Sequence, residues 1–239
     1  MHISLKGRGS VYKSELMMFE MLVRTNWVRP MYVAATVGPS SYGDFGKNFV
    51  QEGLVNRITP FNTKESGQRI DSEKMYDNLM NKFKFGGISN PDIYLDETVL
   101  RMCYTHRRLF AQLGTQLLRE GKRDKALKLM QKAEKEIPNA SIRYSWHDGS
   151  PEMARIWLAL GESAKAEEIA DILGRNACEY LDWYLSLPAR HVSTADVRYY
   201  YFELQEVVEL LSAANSKKAE EYGKALERYY GAVAYTLER

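Results

Sequence analysis

His147-Asp148, in SWHDGSPE, is the one place where a histidine stands beside an acid, and so the first place to look for acid-base chemistry. Pro151 just beyond it predicts a helix starting there, with the polar loop as its cap. His2, His106, His147 and His191 fall in no HExxH pattern, and none neighbours a cysteine at ligand spacing, so no metal site is expected. Cys103 and Cys178 lie in apolar helical patterns, the setting of buried thiols, with a single bridge between them as the alternative. SYGDFGKN sets Gly43, Gly46 and Lys47 where a phosphate loop would sit. Two residues separate those glycines where a Walker loop needs four, and Asn48 replaces the Ser or Thr that would hold magnesium. Asp92, Asp96 and Glu97 could pair for proton transfer, but adjacent carboxylates on a helix diverge, and acids in a first turn complement the helix dipole. No catalytic set and no cofactor is therefore expected.

Rings offer more. The chain has 16 Tyr and 4 Trp, concentrated at Asp182-Trp183-Tyr184 and Tyr199-Tyr200-Tyr201. Three consecutive tyrosines cannot all face inward on one helix, and a ring with an apolar face and a polar edge can stack on a sugar or grip a peptide. Trp146, Trp183, Tyr184, Tyr199 and Tyr201 are the aromatic binding candidates. Arg108 and Thr115 are polar candidates beside them.

The elements that must position these residues are mostly helices. With 239 residues, 45% hydrophobic and 27% charged, the chain can bury a substantial core, and a net charge of +2 gives no global attraction for nucleic acid or anionic lipid. Residues 13–23 predict a short helix with Leu16, Phe19, Met21, Leu22 and Val23 on its apolar side. Pro30 stops that pattern, and residues 31–37, MYVAATV, then read as a buried strand. Trp27 is expected to pack at this junction, with Arg29 anchoring the turn before Pro30. DFGKNFVQEG reads as a second short helix and LVNRITPF as a second strand, far enough from the first for a parallel crossover. These make a small α/β unit over 1–62. A connecting loop, over 62–70, and a capped helix fill the stretch 63–89.

From residue 90 to 239 the pattern is helical. Phe110, Leu113, Gly114, Leu117, Gly121, Ala126, Met130, Ala133 and Pro138 fall at the spacings of a tetratricopeptide repeat. Gly114 and Ala126 are small enough for close helix approach, Gly121 suits the turn, and Pro138 follows the second helix. Gly161 and Ala166 repeat Gly121 and Ala126, and AANSKKAEEYGKAL repeats the second half once more, with Glu203 and Glu206 where a strict repeat would be apolar. The expected fold is mainly α: a tetratricopeptide-like array of α-α hairpins with a small N-terminal α/β unit.

NWVRPMYVAATVG, QEGLVNRITPF, DSEKMYDNLMNKFKFGG and NPDIYLDETVLRMCYTHRRLF, followed by the helical repeat, resemble the C-terminal region of a bacterial membrane family common in Bacteroidetes, glycosyltransferase family 117 or domain-of-unknown-function family 2723. The resemblance covers roughly residues 3–140 well. It implies a parent with a polytopic domain similar to protein O-mannosyltransferases, which move a sugar from a lipid carrier, and a soluble tail on the periplasmic side. No catalytic position of such enzymes corresponds to a residue here. No stretch approaches the roughly 18 to 20 apolar residues that span a bilayer, so no direct membrane insertion is expected. The leading expectation is an interaction module for an acceptor protein or peptide, or for assembly with the parent membrane domain, with no nucleic-acid partner. A carbohydrate-binding accessory domain is the alternative, and an independent enzyme is the third.

Overall fold

The structure, a computed structural model, describes residues 10–63, 69–188, 191–192 and 194–237, and the chain divides into two compact units, Met1–Lys84 and Phe85–Arg239. The first unit opens with α1 (Lys13–Thr25), whose start is closed by the Tyr12 N–H donating to Glu15 Oε2 at 3.0 Å. Its inward face is Met18, Phe19 and Leu22, which pack with Phe45, Phe49, Ile58, Met31, Val33 and Tyr42. Leu16, Met21 and Val23, expected inside, are exposed, because a stripe running through 15, 18, 19 and 22 is about as wide as one core face allows.

Asn26 and Trp27 both take left-handed backbone (φ 43° and 64°) and turn the chain sharply at the helix end. That turn throws the next residues outward. Trp27 is 39% exposed, and Arg29 and Pro30 are exposed as well, with no hydrogen bond from Arg29 among the described residues. The packed junction and anchoring arginine expected there give way to a surface turn. The strand expected over 31–37 is also shorter: β1 (Tyr32–Ala34) is a three-residue edge with only Val33 turned toward the core.

β2 (Phe49–Gln51) and β3 (Val55–Ile58) complete a sheet of order β1-β3-β2, antiparallel throughout, with Tyr32 opposite Arg57 and Phe49 opposite Ile58. The parallel crossover is thus corrected. Gly43–Asn48 forms only 3-10 turns, and the residues after it are a strand that folds straight back on β3 through Gly53, where φ of +134° suits glycine. The loop expected over 62–70 lies largely outside the described residues. α2 (Ser72–Asp77) is capped by Asp71, whose Oδ1 accepts from the Lys74 N–H at 3.1 Å, and widens into a π turn over Asn78–Lys82. It belongs to the first unit through the buried Glu52. Burial would raise that carboxyl, but Lys74 at 2.5 Å and Arg57 at 2.6 Å together hold it below the usual carboxylate range.

The second unit is helical: α3 (Glu97–Arg119), α4 (Arg123–Glu136), α5 (Ser150–Leu160), α6 (Ser163–Ser186), α7 (Thr194–Ala213) and α8 (Lys218–Leu237). Asp96 caps α3, accepting from the Val99 N–H at 2.9 Å, and Glu97 pairs with Arg101, so the acids near residue 96 start a helix as expected. α3 packs on α4, α5 on α6, α7 on α8, and α3 also packs on α5 and α6 on α7. The three turns inside these pairs are alike. Gly121, Gly161 and Asn215 are left-handed, their N–H groups donate to Leu118, Leu158 and Ser212, and the following N–H groups donate to Leu117, Trp157 and Leu211. This is the Schellman pattern, repeated with asparagine in the third turn because its short side chain tolerates left-handed backbone.

Two glycines mark the closest approaches. A methyl group on Gly114 would lie 2.8 Å from Ile156 Cδ1, the free end of a flexible side chain. On Gly174 it would lie 2.8 Å from two ring carbons of Tyr222 and 3.0 Å from Val207 Cγ1. Tyr222 cannot swing away cheaply, since its hydroxyl donates to Asp171 Oδ1 at 2.8 Å. Gly174→Ala is therefore expected to destabilise by about 1–2 kcal/mol even after the helix-propensity gain of alanine, and Gly114→Ala by less. Urea midpoints at constant slope measure both, and a Gly174→Ala protein as stable as its parent would contradict this packing.

Candidate functional site

The longest connection in the second unit, residues 137–149, is pinned from beneath by one side chain. Arg107, on α3 and fully buried, donates through Nη1 to the Arg143 carbonyl at 3.1 Å and to Asp148 Oδ2, and through Nη2 to the carbonyls of Ile137, at 3.1 Å, and Ile142. Asp148, equally buried, completes the knot: its Oδ1 accepts from the Ser150 N–H at 2.9 Å and from the Ser150 hydroxyl at 2.6 Å. Tyr144 lies over the guanidinium at 4.8 Å, and its phenol is pushed up to about 12 mainly by burial. Asp148 is thus committed to structure. The His147-Asp148 couple does not converge, since His147 is exposed and points to a different neighbour.

That neighbour is Tyr199. The two rings stack at 4.9 Å and 13°, with the Tyr199 hydroxyl 3.3 Å from His147 Nδ1. They stand at the edge of a cavity of about 630 Å³. The pinned connection contributes Arg143, Tyr144, Ser145, Trp146 and His147 to its wall, and α3 contributes Tyr104. α6 adds Asn176, Glu179, Tyr180 and Trp183, at the i, i+3, i+4, i+7 spacing of one helix face. α7 adds Tyr199, Tyr200 and Glu203.

Rings order the interior. Tyr180 and Tyr200 stack at 4.3 Å and 12°, and Tyr200 meets Tyr199 edge-on at 5.1 Å. Burial, and the carboxyl of Glu203, push the phenols of Tyr199 and Tyr200 up, so both remain neutral donors. Glu203 is 3% exposed, and among the described residues it has neither a hydrogen bond nor an ion pair. Burial alone drives its carboxyl up to about 8.

Of the sequence candidates, Trp146, Trp183 and Tyr199 line this cavity. Tyr184 packs behind it on Trp183 and Tyr200, at 4.6 and 5.9 Å. Tyr201 lies against Phe202, Arg108 is exposed with Nη2 3.3 Å from the Thr105 hydroxyl, and the Thr115 hydroxyl bonds back to the Ala111 carbonyl at 2.9 Å; these three are elsewhere. Phe110 and Ala126 are buried, Gly114 faces Ile156 and Met130, and Pro138 follows α4, its carbonyl accepting from the Ser141 and Ile142 N–H groups. Sequence reading passed over Tyr104, Asn176, Glu179 and Tyr180, and took Tyr200 only as part of its tyrosine cluster. The α6 residues carried a signal in their helical spacing, and Glu203 carried one as an acid in a core position.

In comparisons with known proteins, the domain family described as TMEM260-associated domain 2 matches residues 1–75. That stretch is thus similar to a domain associated with a membrane protein, and it falls in the first unit. No curated protein and no solved structure matches the chain. Among the described residues no helix is long and apolar enough to cross a membrane, and no group of His, Cys, Asp or Glu is arranged to hold a metal ion.

Proposed function

We propose that the second unit is a tetratricopeptide-like stack of three helical hairpins and serves as a recognition module, its cavity receiving a segment of an acceptor or partner protein. The resemblance in the sequence would make it the soluble, periplasmic tail of a membrane glycosyltransferase-like protein. Three identical turns support the repeat, and the similarity of residues 1–75 to a membrane-protein-associated domain supports the setting. The observation that carries recognition is the cavity itself: eight aromatic or imidazole rings from four elements around about 630 Å³, a size typical of ligand sites. A second reading, glycan binding, is favoured by Trp183, 53% exposed beside Glu179 and Asn176, since a sugar can stack on such a ring while its hydroxyls meet the polar edge.

Selection of random displayed peptides on the intact chain, with tryptophan emission followed as each selected peptide is added, tests the reading. Selected peptides are expected to shift the emission and to lose about 30-fold in affinity on Trp183→Ala, the scale of a lost aromatic anchor. Peptides that bind the variant equally well would place recognition elsewhere. An emission change produced by oligosaccharides and by no peptide would transfer the site to the glycan reading.

A further inference from the structure

Resting on the reading of the cavity as a peptide-recognition site, we propose that its occupant is a positively charged side chain, the ammonium of a lysine or the guanidinium of an arginine, with Glu203 as counter-ion and the rings of Tyr199, Tyr200 and Trp183 as its flanks. Glu203 is the reason. A glutamate whose residue is only 3% exposed, lining a cavity and without a hydrogen-bond or ion-pair partner among the described residues, is an acceptor waiting for a donor. Left empty, such a group is costly as an anion and stays protonated. A cation supplies the missing partner, while the electron-rich faces of the surrounding rings attract the same charge and exclude water from it.

Charge in the rest of the wall is compatible. Glu179 of α6 adds a second, exposed carboxylate, and Arg143 of the connection, also exposed, adds one cation. Tyr104 of α3 and Tyr180 of α6 add neutral phenols, and His147 stacks on Tyr199. On α5, Arg155 is engaged by Glu206 at 2.6 Å, and on α8 Tyr230 acts on Tyr201, away from the cavity. No cation among these is paired with Glu203.

The binding step balances simply. The ligand enters as R–NH3+, Glu203 gives its proton to solvent, and the carboxylate and ammonium remain as an ion pair, so one proton leaves for each ligand bound. Affinity is then expected to rise as pH rises, by nearly tenfold per unit, until Glu203 is ionised in the empty protein as well.

Titration calorimetry of the intact chain with Nα-acetyl-lysine methylamide and Nα-acetyl-arginine methylamide, against the neutral Nα-acetyl-norleucine methylamide, at pH 6, 7 and 8, tests this. The cationic probes are expected to bind at least tenfold more tightly than norleucine at pH 7. Buffers of different ionisation enthalpy should report close to one proton released. Glu203→Gln should lose that preference and the pH dependence together, its fold checked by thermal unfolding, while Glu206→Gln, whose partner Arg155 lies outside the cavity, should keep both. Equal binding of norleucine and lysine, zero proton release in the parent protein, or an unaffected Glu203→Gln variant would each overturn the proposal. If selected peptides bind through Trp183 irrespective of lysine or arginine content, this inference fails and the recognition reading stands; if neither probes nor peptides perturb Trp emission, both fail.

Discussion

Arg107→Met should cost the second unit about 3–5 kcal/mol in urea unfolding. Removing the guanidinium leaves Asp148 buried with a negative charge answered only by Ser150, and strips the carbonyls of Ile137, Ile142 and Arg143 of their donor at once. Asp148, Ile137 and Ile142 have lost their water already. Methionine fills the volume, so the loss would come from unmet polar groups and not from a void. Asp148→Ala should be comparably damaging, and the double variant should fall short of the sum by at least 2 kcal/mol, since each change removes the reason for the other. Emission from Trp146 should also move to the red as the connection loosens. Singles that cost under about 1 kcal/mol, or strictly additive effects, would mean the knot is not what holds this connection.

At Glu203 the expected change runs the other way. Its carboxyl, ordinarily near 4.5, is held up to about 8 in the folded chain by burial. Between those values the folded protein keeps a proton that the unfolded chain has released, so stability falls as pH rises through the window and levels off above it. The drop is at most about 4–5 kcal/mol, from 1.36 kcal/mol per unit of difference. Glu203→Gln keeps the shape and removes the titration. It should match the parent near pH 4.5 and exceed it by several kcal/mol at pH 8.5. A parent whose stability is flat from pH 5 to 8.5 would show that Glu203 is ionised and paired in solution.

How much of this could be read from residues alone varied with the range of the interactions. The helices of the second unit were legible, because their apolar period is long and repeated and Gly121 and Gly161 mark their turns. Asn215 performs the same role less visibly. In the first unit, three- and four-residue strands are too short for a period to declare itself, and FVQ within DFGKNFVQEG passed for helix. The face of α1 was misjudged for a related reason: Leu16, Met21 and Val23 are apolar, yet only a stripe through Met18, Phe19 and Leu22 reaches Phe45 and Phe49. Trp183, Tyr199 and their neighbours stood out as rings without revealing which of them converge. Arg107 gave no sign at all, since a lone charge in a helix reads as surface until its partner, 41 residues away, is in view.

Stacks of helical repeats ordinarily fold and fray from neighbour to neighbour, each unit depending only on the next. Here the ring-lined chamber draws its walls from positions 104 to 203, and its floor is clamped by a contact spanning 41 residues. Loop-closure entropy must be met before any of those walls touch. A fragment ending after α5 could keep well-formed rods and yet possess no chamber, so long-range closure makes that chamber all-or-nothing.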